Sequence, residues 1–185
     1  MRFLFTILVI SLLNCHPINS QNGSVSIKAS YKFPTPPESE KSLFYLQRSQ
    51  NSNTIQYDIN LDSEGKIDED DPVEVYWLRY NTTGEKRDLK WMERKMAYGV
   101  KTKRLSESAY QVKMVAYDER PILVHQKSNG EVIAKIKING QMVKFKSIFI
   151  DMIEGGWIPT IKTIELFGED LATGKPVYEK FKPKD

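Results

Sequence analysis

Two groups of residues in this chain have the types and spacing that chemistry needs. The first is Asn60-Leu61-Asp62-Ser63-Glu64-Gly65-Lys66-Ile67-Asp68-Glu69-Asp70-Asp71. Its oxygen donors fall as in a calcium loop: Asn60, Asp62, Glu64, the Lys66 carbonyl, Asp68 and Asp71, with Gly65 at the sharp turn and Ile67 at the apolar position. Its departures are an Asn at the first position and a short Asp at the last, with strand patterns rather than helices on either side. A polar hairpin loop, with Gly65 in the turn and Asp71-Pro72 restarting the chain, accounts for the same residues. No metal or cofactor is assigned to it.

The second group combines cations with aromatic rings. Arg48, Tyr76, Trp77, Arg94 and Tyr98 lie in segments denser in polar and aromatic residues than packing requires, and Glu93 adjoins Arg94. A guanidinium on an aromatic face holds planar or anionic ligands, and it serves equally to tie a helix to a sheet. His125 completes the set of ligand-binding candidates as the histidine of the main domain; a lone histidine on an apolar face also reads as a hydrogen-bonded core residue.

Catalytic signatures are weaker. Glu74, Glu93 and Glu165 are carboxylates among apolar neighbours, and glycoside hydrolysis needs two such groups about 5–10 Å apart across a cleft. Spacing along the chain brings no two of them together. Gly-x-Ser-x-Gly, Walker, dinucleotide-binding and His-Glu-x-x-His patterns are absent from the sequence. The formal charge of +3 with 28% charged residues of mixed sign describes an ordinary solvated surface and calls for no nucleic-acid partner.

The elements that would position these residues read as strands. Runs rich in Val, Ile, Phe and Tyr recur at Leu43–Gln47, Thr54–Leu61, Val73–Tyr80, Tyr110–Tyr117, Ile122–Gln126, Val132–Ile138, Gln141–Ile150, Ile161–Phe167 and Val177–Phe181. Helical patterns between them are missing, which argues against a parallel α/β sheet. The expectation is an all-β fold, an antiparallel barrel or sandwich of about eight to nine strands with one short helix. That helix is predicted after Asp88, with Leu89, Met92 and Met96 as its apolar stripe and Gly99 ending it in the left-handed conformation.

Asn139-Gly140 is a two-residue hairpin turn, pairing Ile138 with Gln141, Ile136 with Val143 and Ala134 with Phe145. The opposite face then carries Lys135, Lys137, Lys144 and Lys146. Like charges face each other there, so this face meets water or an anion, either an acidic polymer or lipid headgroups. Asn129-Gly130 is read as the same type of turn, pairing Lys127 with Val132 and His125 with Ala134, which points His125 to the apolar face.

The start of the chain reads as an export signal. Met1-Arg2 is followed by an uncharged, mostly apolar run from Phe3 to Leu13 and by small polar residues to Ser20. This pattern marks a secretory leader and is too short to span a bilayer. The predicted organisation is residues 1–20 as signal peptide, 21–41 as an extended lead-in with Pro34, Pro36 and Pro37, and 42–185 as a single antiparallel β domain. Leu12-Leu13-Asn14-Cys15 offers a rival reading, a lipid anchor at Cys15. Cys15 is the lone cysteine, so a chain without its leader has no disulfide or thiolate site. Asn22-Gly23-Ser24 and Asn81-Thr82-Thr83 match the N-glycosylation pattern.

Several segments together carry a resemblance. Phe44-Tyr45-Leu46-Gln47-Arg48-Ser49 with Asn51, Asn53 and Thr54, Pro72-Val73-Glu74-Val75-Tyr76-Trp77, Arg94-Lys95-Met96-Ala97-Tyr98-Gly99 and Gly174-Lys175-Pro176-Val177 are similar to motifs of an uncharacterised bacterial exported family, domain of unknown function 4833. The resemblance runs from about Pro34 to Lys180. It implies export and a single domain, and transfers no activity or residue role. The expected function is non-catalytic binding of a small molecule, lipid or envelope component by a periplasmic or envelope-associated protein without a transmembrane helix. The alternatives are a secreted hydrolase using embedded carboxylates and a structural or protein-interaction protein of the envelope.

Overall fold

The structure, a computed structural model, describes residues 33–153 and 160–183. The predicted leader, Cys15, the glycosylation triplet at Asn22 and the first part of the lead-in lie outside the described residues.

The protein is mostly β. Eleven strands form one sheet: β1 (Ser42–Arg48), β2 (Asn51–Ile59), β3 (Val73–Leu78), β4 (Lys86–Asp88), β5 (Val100–Ser106), β6 (Ala109–Met114), β7 (Tyr117–Gln126), β8 (Val132–Ile138), β9 (Gln141–Ile153), β10 (Thr160–Asp170) and β11 (Pro176–Phe181). The count exceeds eight to nine because β4 and β5 carry no apolar alternation. β5 reads Val-Lys-Thr-Lys-Arg-Leu-Ser and is exposed along almost its whole length, as a charged edge strand tolerates.

The path through the sheet is β4-β3-β2-β1-β9-β8-β7-β6-β5, and β10 branches from β9 to carry β11. One pairing corrects the antiparallel expectation: β1 runs parallel to β9, Tyr45 to Arg48 lying against Ser147 to Ile150. The long β9 makes this arrangement work. Along one edge its first half pairs with β8 and its second half with β1, while β10 follows the other edge.

The Asn139-Gly140 turn forms as expected, with Asn139 at φ 49° and Gly140 at φ 81°, and Ile136 pairs with Val143 and Lys135 with Lys144. The ladder ends at Lys144, so the expected pair Ala134–Phe145 is not in the register. The cause is a bulge: Gly168 pairs with Phe145 and Phe167 with Ser147, leaving Lys146 as the extra residue. Beyond it the inward side of β9 passes from Val143 and Phe145 to Ile148 and Ile150. Gly168 lets the strands close at this bend, since a Cβ there would stand 2.6 Å from Val143 Cγ2 and 2.8 Å from the Lys144 carbonyl oxygen.

The Asn129-Gly130 turn differs by one residue. Lys127 N–H bonds to the Glu131 carbonyl at 2.8 Å, so the loop holds Ser128, Asn129 and Gly130, with Gly130 alone left-handed at φ 85°. The ladder becomes Val124–Ala134 and His125–Ile133. A one-residue slip reverses every side chain, so His125 faces the outside of the sheet and not the core beside Phe145.

The sheet curls over its inner face. Ile55, Tyr57 and Ile59 of β2, Val112 of β6, Val124 of β7, Ile136 of β8 and Phe145 of β9 belong to one buried cluster. Contacts across the curl tie its arms: Gln126 Nε2 donates to the Gly65 carbonyl at 2.7 Å, and Arg104 pairs with Glu69 at 2.5 Å.

Candidate functional site

The predicted helix is shorter than expected and buries a different side. One α-turn, α1 (Trp91–Glu93), continues into a π-helical turn, Arg94–Tyr98. Asp88 belongs to β4. Met92 and Met96 are 62% and 66% exposed, so they form no core stripe; Leu89 is the buried member. Gly99 has φ −64° and is not left-handed. Its requirement is space: Gly99 N–H donates to the Arg94 carbonyl at 3.0 Å, and a Cβ would sit 2.2 Å from that oxygen.

This turn covers one end of the curled sheet through Tyr98. Arg48, at the end of β1, places its guanidinium carbon 5.0 Å from the Trp77 ring centroid and 5.2 Å from that of Tyr98. Its Nη1 also donates to the Tyr98 hydroxyl. Trp77 and Tyr98 meet edge to face at 5.2 Å. The Tyr57 hydroxyl, from the core, donates to the Tyr98 carbonyl at 2.9 Å. Burial holds the Tyr98 phenol above its ordinary pKa although the Arg48 charge pulls it down. Arg48 Nε is buried without a partner.

Glu93 fastens the turn. Its carboxylate accepts from Trp77 Nε1 at 3.3 Å, Arg87 Nη2 at 3.0 Å and the Lys90 backbone at 2.8 Å. Burial raises its pKa, but the Lys90, Trp77 and Arg87 hydrogen bonds outweigh that and leave it below the usual value. Glu93 is thus paired with Arg87, which opposes Trp77 on β4, and not with its neighbour Arg94 or with Arg48. Arg94 is exposed and reaches the Val75 carbonyl at 3.5 Å.

Of the six candidates, Arg48, Trp77, Arg94 and Tyr98 gather at this end. Tyr76 and His125 do not. Tyr76 follows the alternation of β3 to the outer face, where its hydroxyl donates to Asp58 Oδ2 at 2.7 Å and Lys86 Nζ lies 4.0 Å above its ring. Its pKa is raised, by burial first and then by Asp58. His125 lies on the far arm with a buried, unpartnered Nδ1.

Beneath Tyr98 is an apolar pocket of about 90 Å³, walled by Leu46, Met114, Tyr117, Ile148, Ile161 and Ile164 among others. Sequence reasoning did not single out this lining, because these residues come from β1, β6, β7, β9 and β10, and only the curl unites them.

The acidic loop folds as a hairpin turn. Leu61 bridges Ile67, Gly65 has φ 78°, and Asp62 Oδ1 accepts the Glu64 and Lys66 amides at 2.8 and 2.9 Å. Asp68 does the same for Asp70 and Asp71. Among the described residues no group of three or more His, Cys, Asp or Glu side chains is placed to hold a metal. The three embedded carboxylates are spoken for separately: Glu74 by Lys86, Glu93 by Arg87, and Glu165 by Lys180 and Tyr178. No helix among the described residues is long and apolar enough to cross a membrane.

These features define a single curled β-sheet whose end is closed by a cation–aromatic cluster on a short helical turn. The chain belongs to the family described as Domain of unknown function (DUF4833), whose model matches residues 44–180. No curated protein and no solved structure matches it.

Proposed function

We propose that this protein is an exported, non-catalytic binding protein of the cell envelope, an open half-barrel that takes an apolar ligand at its Tyr98 end. The supporting observation is the pocket of about 90 Å³ under Tyr98, lined almost wholly by apolar atoms, with the Arg48 guanidinium 5.2 Å from the Tyr98 ring that covers it. A water occupies about 30 Å³ of liquid, so this space fits the end of an acyl chain, whereas a whole drug-sized ligand needs roughly 300 Å³ or more. Larger occupants enter by lifting the Trp91–Tyr98 turn, and π-helical turns recur at functional sites. Arg48 would meet a carboxylate or phosphate head.

Native mass spectrometry of undenatured protein, together with thermal unfolding in medium-chain fatty acid, tests this reading. Wild type should carry or gain a ligand and melt higher. Ala116→Trp, an exposed residue at the pocket wall, should abolish the shift and keep the fold. No bound mass and no shift in wild type sinks the proposal. A protein-interaction role is the second reading, favoured by the apolar side chains Trp91, Met92 and Met96 standing together in solvent.

A further inference from the structure

Independently of the interior, the outside of β5–β9 carries an unusual row. Consecutive cross-strand partners are Lys103–Gln111, Gln111–Leu123, Leu123–Lys135 and Lys135–Lys144. Beside it Lys101 opposes Lys113. At a strand spacing of about 4.8 Å the row is roughly 19 Å long. Two lysine pairs therefore sit directly opposite one another, an arrangement that destabilises a sheet unless an anion relieves it.

Lys101, Lys103, Lys113, Lys135, Lys137 and Lys144 make no ion pair among the described residues; Lys41, Lys90, Lys95, Lys175 and Lys182 make none either, but they are scattered and do not oppose one another across strands. Lys144 has no carboxylate in ion-pair contact: Glu169, its cross-strand partner, and Glu38 both reach Lys146. Glu38 and Glu131, lowered in pKa first by their partners Lys146 and Lys127, feel Lys144 only through a longer-range attraction that adds to the lowering. Glu119 of β7 lines a surface hollow with Lys137 and Met142 at one side of the row.

We infer that this face docks on an anionic lipid bilayer. Charge complementarity demands an anion, and the extent of the row demands an extended one. The outward side chains Lys101, Lys103, Gln111, Lys113, Leu123, Lys135 and Lys144 offer no aromatic ring, which single-stranded nucleic acid uses for stacking. They do include apolar members, Leu123 in the row and Met142 beside it at 43% exposure. Lysine stems lying on an apolar surface with their ammonium groups at headgroup level suit a membrane interface.

Co-sedimentation of the full chain with phosphatidylcholine vesicles, with and without 30% phosphatidylglycerol, tests this. Any contribution of an apolar N-terminus appears with both lipids, so the difference reads the charged face. Wild type should prefer the anionic vesicles, and the preference should shrink as salt rises. Each lysine near an anionic surface contributes a factor of about five, so Lys135→Gln/Lys144→Gln should weaken the preference about 25-fold, and Lys101→Gln/Lys113→Gln similarly. Both variants remove like-charge pairs and should melt no lower than wild type. Equal binding to the two lipids, or an undiminished preference in both folded variants, overturns the inference. So does lysine-dependent binding of a soluble acidic polysaccharide or DNA with none to vesicles.

Discussion

Arg120 of β7 and Glu179 of β11 face each other as a two-pronged ion pair, Nη1 to Oε2 at 2.7 Å and Nη2 to Oε1 at 2.6 Å. Glu179 also accepts the Asn139 amide at 2.8 Å. Strands that are not neighbours in the sheet are joined here, so the branch formed by β10 and β11 is fastened to the β7–β8 arm. Arg120 additionally lies 4.5 Å from the Phe181 ring.

Removing one partner of this pair leaves the other half-buried. Glu179→Gln should destabilise the protein by about 1–3 kcal/mol, read as a lower urea midpoint. The pair also sets an acid limit. Arg120 holds the Glu179 carboxyl below its ordinary pKa, against the opposing effect of burial. Its stabilisation is complete above the unfolded value of about 4.3 and fades as pH falls through the lower folded value. Urea midpoints of wild type and Glu179→Gln should therefore converge at low pH.

Alkaline pH should act through the tyrosines. Burial raises the pKa of Tyr57, Tyr76 and Tyr98 in the folded state. An acid whose folded pKa is raised stabilises fully below its unfolded value, about 10, and loses that contribution as pH rises beyond it. Absorbance at 295 nm should show these phenols ionising at higher pH in the folded protein than in urea.

Gly168→Ala tests the bend in β9. The new methyl meets Val143 Cγ2 at 2.6 Å and the Lys144 carbonyl oxygen at 2.8 Å, and overpacking of this sort costs about 1–3 kcal/mol. A Gly168→Ala protein with an unchanged melting temperature would contradict the close approach described.

Glu93→Ala should release the Trp91–Tyr98 turn. The substitution strands the Trp77 indole and Arg87 together, at about 1–3 kcal/mol. Amide hydrogen exchange at Arg94 to Gly99 should accelerate, while the β6–β8 core keeps its protection.

Much of the fold was legible before any coordinates. Period-two runs identified the long strands, since alternate side chains of a strand face opposite ways. The Asn139-Gly140 turn gave a register correct through Lys144, because its two positive-φ positions admit one geometry. The same dipeptide at 129–130 misled: the flanking chain closed a three-residue loop, and a single residue of slip moved His125 to the outside. The lysine face was read correctly as outward, and Arg48, Trp77 and Tyr98, close in chemical type along the sequence, meet in the fold.

Local sequence therefore determined which segments are strands, which turn closes the second hairpin and which side chains are apolar, because those depend on neighbours a few residues apart. Tertiary structure alone decided that β1 lies parallel to β9, that a bulge at Lys146 bends the sheet, and that Leu46, Ile148 and Ile164 share one pocket under Tyr98. Those contacts join residues from about twenty to a hundred positions apart, and which edge of β9 receives β1 depends on the burial of the whole curled face at once.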